Sequence, residues 1–200
     1  MKRAIGLTIV LLTLNFMIMG QTKELKGFEL TKESATINVS AEKLWEIAGK
    51  DFENAYKWAT TVDHSEGSGK AQFEGATCDA RACDLSASGF DRIEEKVTKY
   101  SDEKMNYAYD VVEGMPKFVA KASNDWTVVS VGPNQSKLVM KVDFRVKGLM
   151  GTLMKGMMQK KMEKLLGVVL NDLKVYAETG KPSASKQKRI NKLAKKKQAA

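Results

Sequence analysis

A chain of 200 residues, 43% hydrophobic and 28% charged, is long enough for one domain to bury a core without disulfides or metals. Its formal charge of +9 suggests a nucleic-acid binder until the charges are located. Residues 1–20 carry only Lys2 and Arg3, residues 181–200 carry eight bases and no acid, and residues 21–180 hold 23 bases against 24 acids. The body is near neutral, and the net basicity belongs to the ends.

The N-terminus has the three-part form of a secretory signal. Lys2-Arg3 is the charged region, Ala4 to Met19 the apolar run, and polar chain resumes at Gln21. The run falls short of the ~20 apolar residues of a membrane-spanning helix. Residues 1–20 are therefore read as a signal peptide, and the protein as exported, periplasmic or secreted. Cleavage after Gly20 stays open, because Ile18 stands where a small residue is usual. No cysteine follows the run, so a lipid-modified anchor is not expected.

From residue 35 the chain alternates. Ala35, Ile37 and Val39 interleave with Thr36, Asn38 and Ser40, which predicts a half-buried first strand. Ser40 is placed to cap a helix whose apolar side is Leu44, Trp45, Ile47 and Ala48, with Gly49 as its stop. Asp51 opens a second short helix carrying Phe52, Ala55 and Tyr56. Short strands then run to Lys147, separated by Gly67-Ser68-Gly69, Ser86-Ala87-Ser88-Gly89, Ser101-Asp102-Glu103 and Gly132-Pro133-Asn134. One has Met105, Tyr107, Tyr109 and Val111 on a single face; the next has Phe118, Ala120, Asn124, Trp126 and Val128. In the last, Leu138, Met140, Val142 and Phe144 oppose Lys141, Asp143 and Arg145. One-sided alternation of this kind predicts antiparallel hairpins.

A helix of about thirty residues follows, its stripe stepping through Met150, Met154, Met158, Met162, Leu165, Val169, Leu173 and Tyr176 before Gly180 and Pro182 end it. Residues 181–200 read as a basic tail, mobile or loosely helical. Cys78 and Cys83 are the only cysteines. On one strand over Thr77 to Leu85 they would lie about 16 Å apart on opposite faces, beyond the ~7 Å that a disulfide allows. Two free thiols are expected.

Strand, two small helices, hairpins and a long helix follow one another in the order of the helix-grip fold, an α+β architecture. Residues 30–178 resemble the SRPBCC superfamily, the START-like and polyketide cyclase-like group of ligand-binding domains. The resemblance rests on Ile37-Asn38-Val39-Ser40-Ala41-Glu42-Lys43-Leu44-Trp45, on Asp51 followed by Trp58, and on Gly75 ahead of a strand. It continues through Glu95, Tyr100 and Asp102, then Tyr107 and Trp126. Ala41 departs from it, since the family usually has Pro there. The resemblance implies a curved antiparallel sheet wrapped around the long C-terminal helix, with a cavity between them in residues 21–180.

Candidate lining residues are Trp58, Tyr107, Tyr109, Trp126, Met140, Phe144, Met154 and Met158, apolar and, in the methionines, adaptable. The function expected is non-enzymatic binding or transport of a small lipid-like or aromatic ligand. Glu95 shares the inward face of its strand with Ile93 and Val97. A desolvated carboxyl there can serve as general acid or base, or it can pair with Arg81 across the neighbouring strand. Asn124 offers a directional hydrogen bond. Glu95, Tyr107 and Asn124 together would form the site of a cyclase or dehydrase, and their convergence would favour that alternative. His64, the only histidine, sits in the loop-like stretch Val62-Asp63-His64-Ser65 with one nearby acid and no second imidazole, and nothing picks out a nucleophile, so neither zinc nor a catalytic triad is expected. Phosphate-cradling glycine loops are absent, and no cofactor is expected. In the tail, Lys186, Lys188, Arg189, Lys195, Lys196 and Lys197 could meet an anionic membrane surface; export argues against nucleic acid as a partner.

Overall fold

Seven strands form one antiparallel sheet in the order β1-β7-β6-β5-β4-β3-β2. The computed structural model describes residues 25–85 and 91–198, so the expectations for the signal peptide and for the turn at residues 86–89 lie outside the described residues. The strands are β1 (Lys26–Glu33), β2 (Val62–Ser68), β3 (Ala80–Leu85), β4 (Arg92–Ser101), β5 (Asn106–Glu113), β6 (Val119–Gly132) and β7 (Gln135–Val146). From β2 to β7 each strand pairs with the next, as the hairpin punctuation predicts. β1 lies at the far edge against β7 with an unbroken register from Lys26↔Val146 to Glu33↔Val139.

Between β1 and β2 come α1 (Ala41–Trp45), a π-helical turn (Glu46–Lys50) and a 3₁₀ helix (Phe52–Lys57). Ser40 caps α1 as its sequence position requires, its hydroxyl accepting from the Lys43 amide at 3.3 Å. The segment is held by residues on which the family resemblance rests. Trp45 Nε1 and Tyr100 Oη both donate to Asp102 Oδ1, at 2.6 and 3.0 Å. Gly75 approaches the same carboxylate with φ +83°, where a β-carbon would collide with Asp102. Scattered in sequence, the four residues make one latch.

The first strand is not where the alternation at 35–39 predicts it. Ile37 makes only an isolated bridge to Ser136, and the paired strand is the earlier β1, whose Phe28 stacks on Phe144. Of that stretch only Ile37 is buried, Ala35 is exposed, and α2 holds its backbone, where Lys174 Nζ donates to the Thr36 carbonyl and Glu178 accepts from the Asn38 amide. Two further expectations shift. His64 lies in β2 rather than a loop, exposed beside Glu66 and the Tyr56 ring. Cys78 precedes β3 rather than sharing its strand with Cys83, and both thiols are free, as expected, and buried.

Curvature has local causes. A register slip between Glu94 and Glu95 leaves Val112 of β5 as an extra residue, and one between Val97 and Lys99 leaves Thr98 extra on β4, bending both strands. A slip between Val119 and Lys121 changes the phase of β6, so Ala120 is exposed and Ala122 turns inward. Across the bent sheet lies α2 (Gly148–Thr179), packed chiefly on β1 and β7 and ended by Gly180 in the left-handed conformation.

Beyond it the expected mobile tail is α3 (Ala184–Gln198), a docked helix. Its start is fixed by Ser183, whose hydroxyl donates to the fully buried Asp172 of α2 and accepts from the Lys186 amide. Lys186 is buried and donates to the Val62 carbonyl at 2.7 Å, while Arg189 pairs with Asp63. Loose order was expected from composition alone, and these internal partners are what composition does not show.

Candidate functional site

Between the concave sheet face and α2 lies a cavity of about 170 Å³. Its floor comes from inward positions of β3 to β7, one wall from the 3₁₀ helix and Trp58, and its roof from Met162, Leu165, Leu166 and Val169 of α2. The alternation of β7 supplies Met140, Val142 and Phe144, which point inward because the register with β6 and β1 holds their lysine and aspartate neighbours outward.

An arginine and a glutamate stand in this apolar surface. Arg81 and Glu95 are cross-strand partners on β3 and β4, and their side chains are 5% and 7% exposed. Arg81 donates through Nε, at 2.8 Å, and Nη2 to one oxygen, Glu95 Oε2, and through Nη1 to the Phe52 carbonyl at 2.6 Å. Its guanidinium also lies 3.8 Å from the centre of the Phe52 ring. Burial is the largest influence and works against the arginine's charge, but Glu95, Cys83, Tyr109 and Tyr107 together hold the pKa above the ordinary value. The structure thus realises the pairing alternative for Glu95: the pair clamps the 3₁₀ helix to the sheet. Cys83, beside Glu95 Oε2 at 3.7 Å, has its pKa pushed up to about 12, chiefly by burial.

One end of the cavity is aromatic. Tyr107 lies against Trp45, Phe52, Tyr109 and Trp126 with ring centres 5.2–6.1 Å apart. Burial raises the pKa values of both tyrosines well above the usual range. Trp58 and Trp126 face each other at 6.5 Å. The Trp126 indole N–H is buried and has no hydrogen-bond partner among the described residues. Each buried donor left unmatched costs about 1–3 kcal/mol, so this one invites an acceptor.

Of the predicted lining residues, Trp58, Arg81, Glu95, Tyr109, Asn124, Trp126, Met140 and Phe144 line the cavity. Tyr107 does not; it backs the wall from behind, so Glu95, Tyr107 and Asn124 do not converge there. Met154 and Met158 also fall outside. The stripe is continuous in sequence, yet the first turns of α2 are largely exposed and only the stretch from Met162 onward roofs the cavity. Sequence reasoning missed the small and branched contributors Ala55, Ala59, Ala122, Ile93 and Val111. The inward phase of Ile93 with Glu95 was the available signal for one of them; the alanines gave none. Among the described residues, no group of three histidine, cysteine or acidic side chains is placed to hold a metal ion.

The tail residues divide. Lys186 and Arg189 are committed to internal partners and cannot serve a membrane surface, whereas Lys188, Lys195, Lys196 and Lys197 are exposed.

Residues 30–178 match the protein family described as polyketide cyclase / dehydrase and lipid transport. No curated protein matches the sequence. Among solved structures, the Zhui aromatase/cyclase of a Streptomyces species superposes with a TM-score of 0.60 at 18% identity, covering 76% of this chain and 94% of the other. A START superfamily protein of Mycobacterium smegmatis gives 0.53 at 20% identity, covering 74% and 99%. Norcoclaurine synthase of Thalictrum flavum gives 0.57 at 12%, covering 78% and 100%. At these identities the likeness establishes the helix-grip fold.

Proposed function

This chain belongs to the polyketide cyclase/dehydrase and lipid transport family, and from that premise we propose that it binds one small apolar, ring-bearing ligand between the sheet and α2 without transforming it. The observation that carries the reading is the cavity of about 170 Å³ whose lining is aromatic and aliphatic save for a few polar residues, and which includes Trp126, the residue with the buried, unpartnered N–H. An apolar cavity of about 150 Å³ takes up a single benzene ring. This one, slightly larger, suits a compact ligand of one or two fused rings bearing a hydrogen-bond acceptor, and not an entire two-chain lipid. Its two charges support binding over catalysis, because Arg81 and Glu95 are tied to each other rather than held ready for a reacting atom. The apolar leader adds export to the proposal: a carrier working outside the cytoplasm.

Titration with 2-naphthol, followed by the emission of Trp58 and Trp126 in the cavity wall, tests this. Saturable quenching is expected, and it should disappear in Ala122→Phe, which fills the space from β6. Equal quenching in that variant would place the dye elsewhere and refute the reading. The cyclase or dehydrase alternative would require turnover that vanishes in Glu95→Gln while 2-naphthol binding persists.

A further inference from the structure

The first three turns of α2 turn apolar side chains to solvent. Leu149 is 78% exposed, Leu153 70%, Met150 58% and Met157 56%. At 3.6 residues per turn these four fall within an arc of about 100°, on the side of the helix away from Leu166 and Val169 in the cavity roof. Lys160 and Lys164 continue the same arc, and Lys147 stands at its start. From Phe144 to Met162 there is no acidic residue. Isolated exposed apolar side chains need no explanation, but two leucines and two methionines on one face of a helix, bordered by lysines, mark an interaction surface.

We propose that this face docks on an anionic phospholipid surface, with Leu149, Met150, Leu153 and Met157 entering the interface and the lysines resting on the head groups. Amphipathic helices of this composition lie in the membrane plane. No helix among the described residues is long and apolar enough to cross. Charge selects the occupant. A second copy docked symmetrically would bring the same acid-free, lysine-bordered face against itself, leaving like charges opposed, whereas anionic head groups complement them. Position agrees: Leu25, itself exposed, and Lys26 share a surface recess with Lys147 and Leu149 and extend the apolar, basic face. The surface differs from the expected tail contact and does not depend on what the cavity holds.

The full-length chain carrying Leu153→Trp provides the test, because Trp45, Trp58 and Trp126 are buried and give a constant background. Vesicles of phosphatidylcholine and phosphatidylglycerol with brominated acyl chains should blue-shift and quench the introduced indole. Added salt should reverse the quenching, as should Lys160→Glu combined with Lys164→Glu. Val131→Trp, exposed on β6, should stay unquenched. Flotation with the vesicles without quenching at position 153 would assign the binding to another segment and overturn the proposal. Equal quenching on phosphatidylcholine alone would overturn its charge selectivity. A blue shift that grows with protein concentration before any vesicle is added would make the occupant a second copy.

Discussion

Replacing Glu95 by Leu leaves Arg81 charged, buried and short of its main partner. With side-chain exposures of 5% and 7%, solvent cannot substitute for the lost carboxylate. Removing one member of a buried ion pair costs about 3–5 kcal/mol. The Phe52 carbonyl and the face of its ring still hold the guanidinium, so the lower end, about 3 kcal/mol, is expected. At roughly 2–4 °C per kcal/mol for a chain of this size, the melting temperature falls by about 6–12 °C. Arg81→Met alone strands the carboxylate and costs a similar amount. Arg81→Met with Glu95→Leu strands neither charge and leaves mainly the Phe52 carbonyl unmatched, about 1 kcal/mol. Urea denaturation of the four proteins therefore predicts a double variant more stable than either single one. A Glu95→Leu protein within ~0.5 kcal/mol of the native chain would mean that water reaches the pair, and would refute its role as a buried clamp.

Trp126→Phe keeps a ring in the wall and removes its donor. 2-Naphthol should bind more weakly by about 1 kcal/mol, roughly fivefold, while naphthalene binding changes little; equal losses for both would show that the N–H makes no bond. Burial raises the pKa values of Cys78 and Cys83, the latter to about 12, so neither thiol should react with a disulfide dye at neutral pH until the chain is unfolded. Fast labelling of native protein would contradict this. Burial lowers the pKa of Lys186, against the pull of Asp63 and Asp172 and with help from Arg189. The native state then binds fewer protons than the unfolded chain between that lowered value and the ordinary 10.5, so stability rises with pH across this window. Lys186→Met should flatten the rise in urea midpoint, and an unchanged slope would assign it to other groups.

Strand faces were legible wherever one side is wet. Leu138 to Phe144 and Ile93 to Val97 alternate because their partners hold the intervening residues in water, and that pattern survives in sequence. Glu95 facing Arg81 followed from it. What escaped depended on tertiary partners. The 35–39 stretch alternates like a strand yet is held by one bridge to β7 and by hydrogen bonds to α2 instead of being paired through a ladder. The tail looks like a solvated charge run because neither the Val62 carbonyl nor Asp63 is near it in sequence. The methionine stripe gave no hint that the roof begins only at Met162, since periodicity reports which face is apolar and not how far the sheet extends beneath it. Cavities are also made by small residues, and Ala55, Ala59 and Ala122 carry no signal distinguishing a gap from tight packing.

Mass spectrometry of the chain isolated from its own source, first intact under native conditions and then after solvent extraction, tests the central claim most directly. A single ring-bearing apolar compound at one per chain, absent from Ala122→Phe prepared in parallel, is the predicted result. A native chain that carries nothing and also fails to take up 2-naphthol would contradict it, and the space between the sheet and α2 would then be no more than imperfect packing.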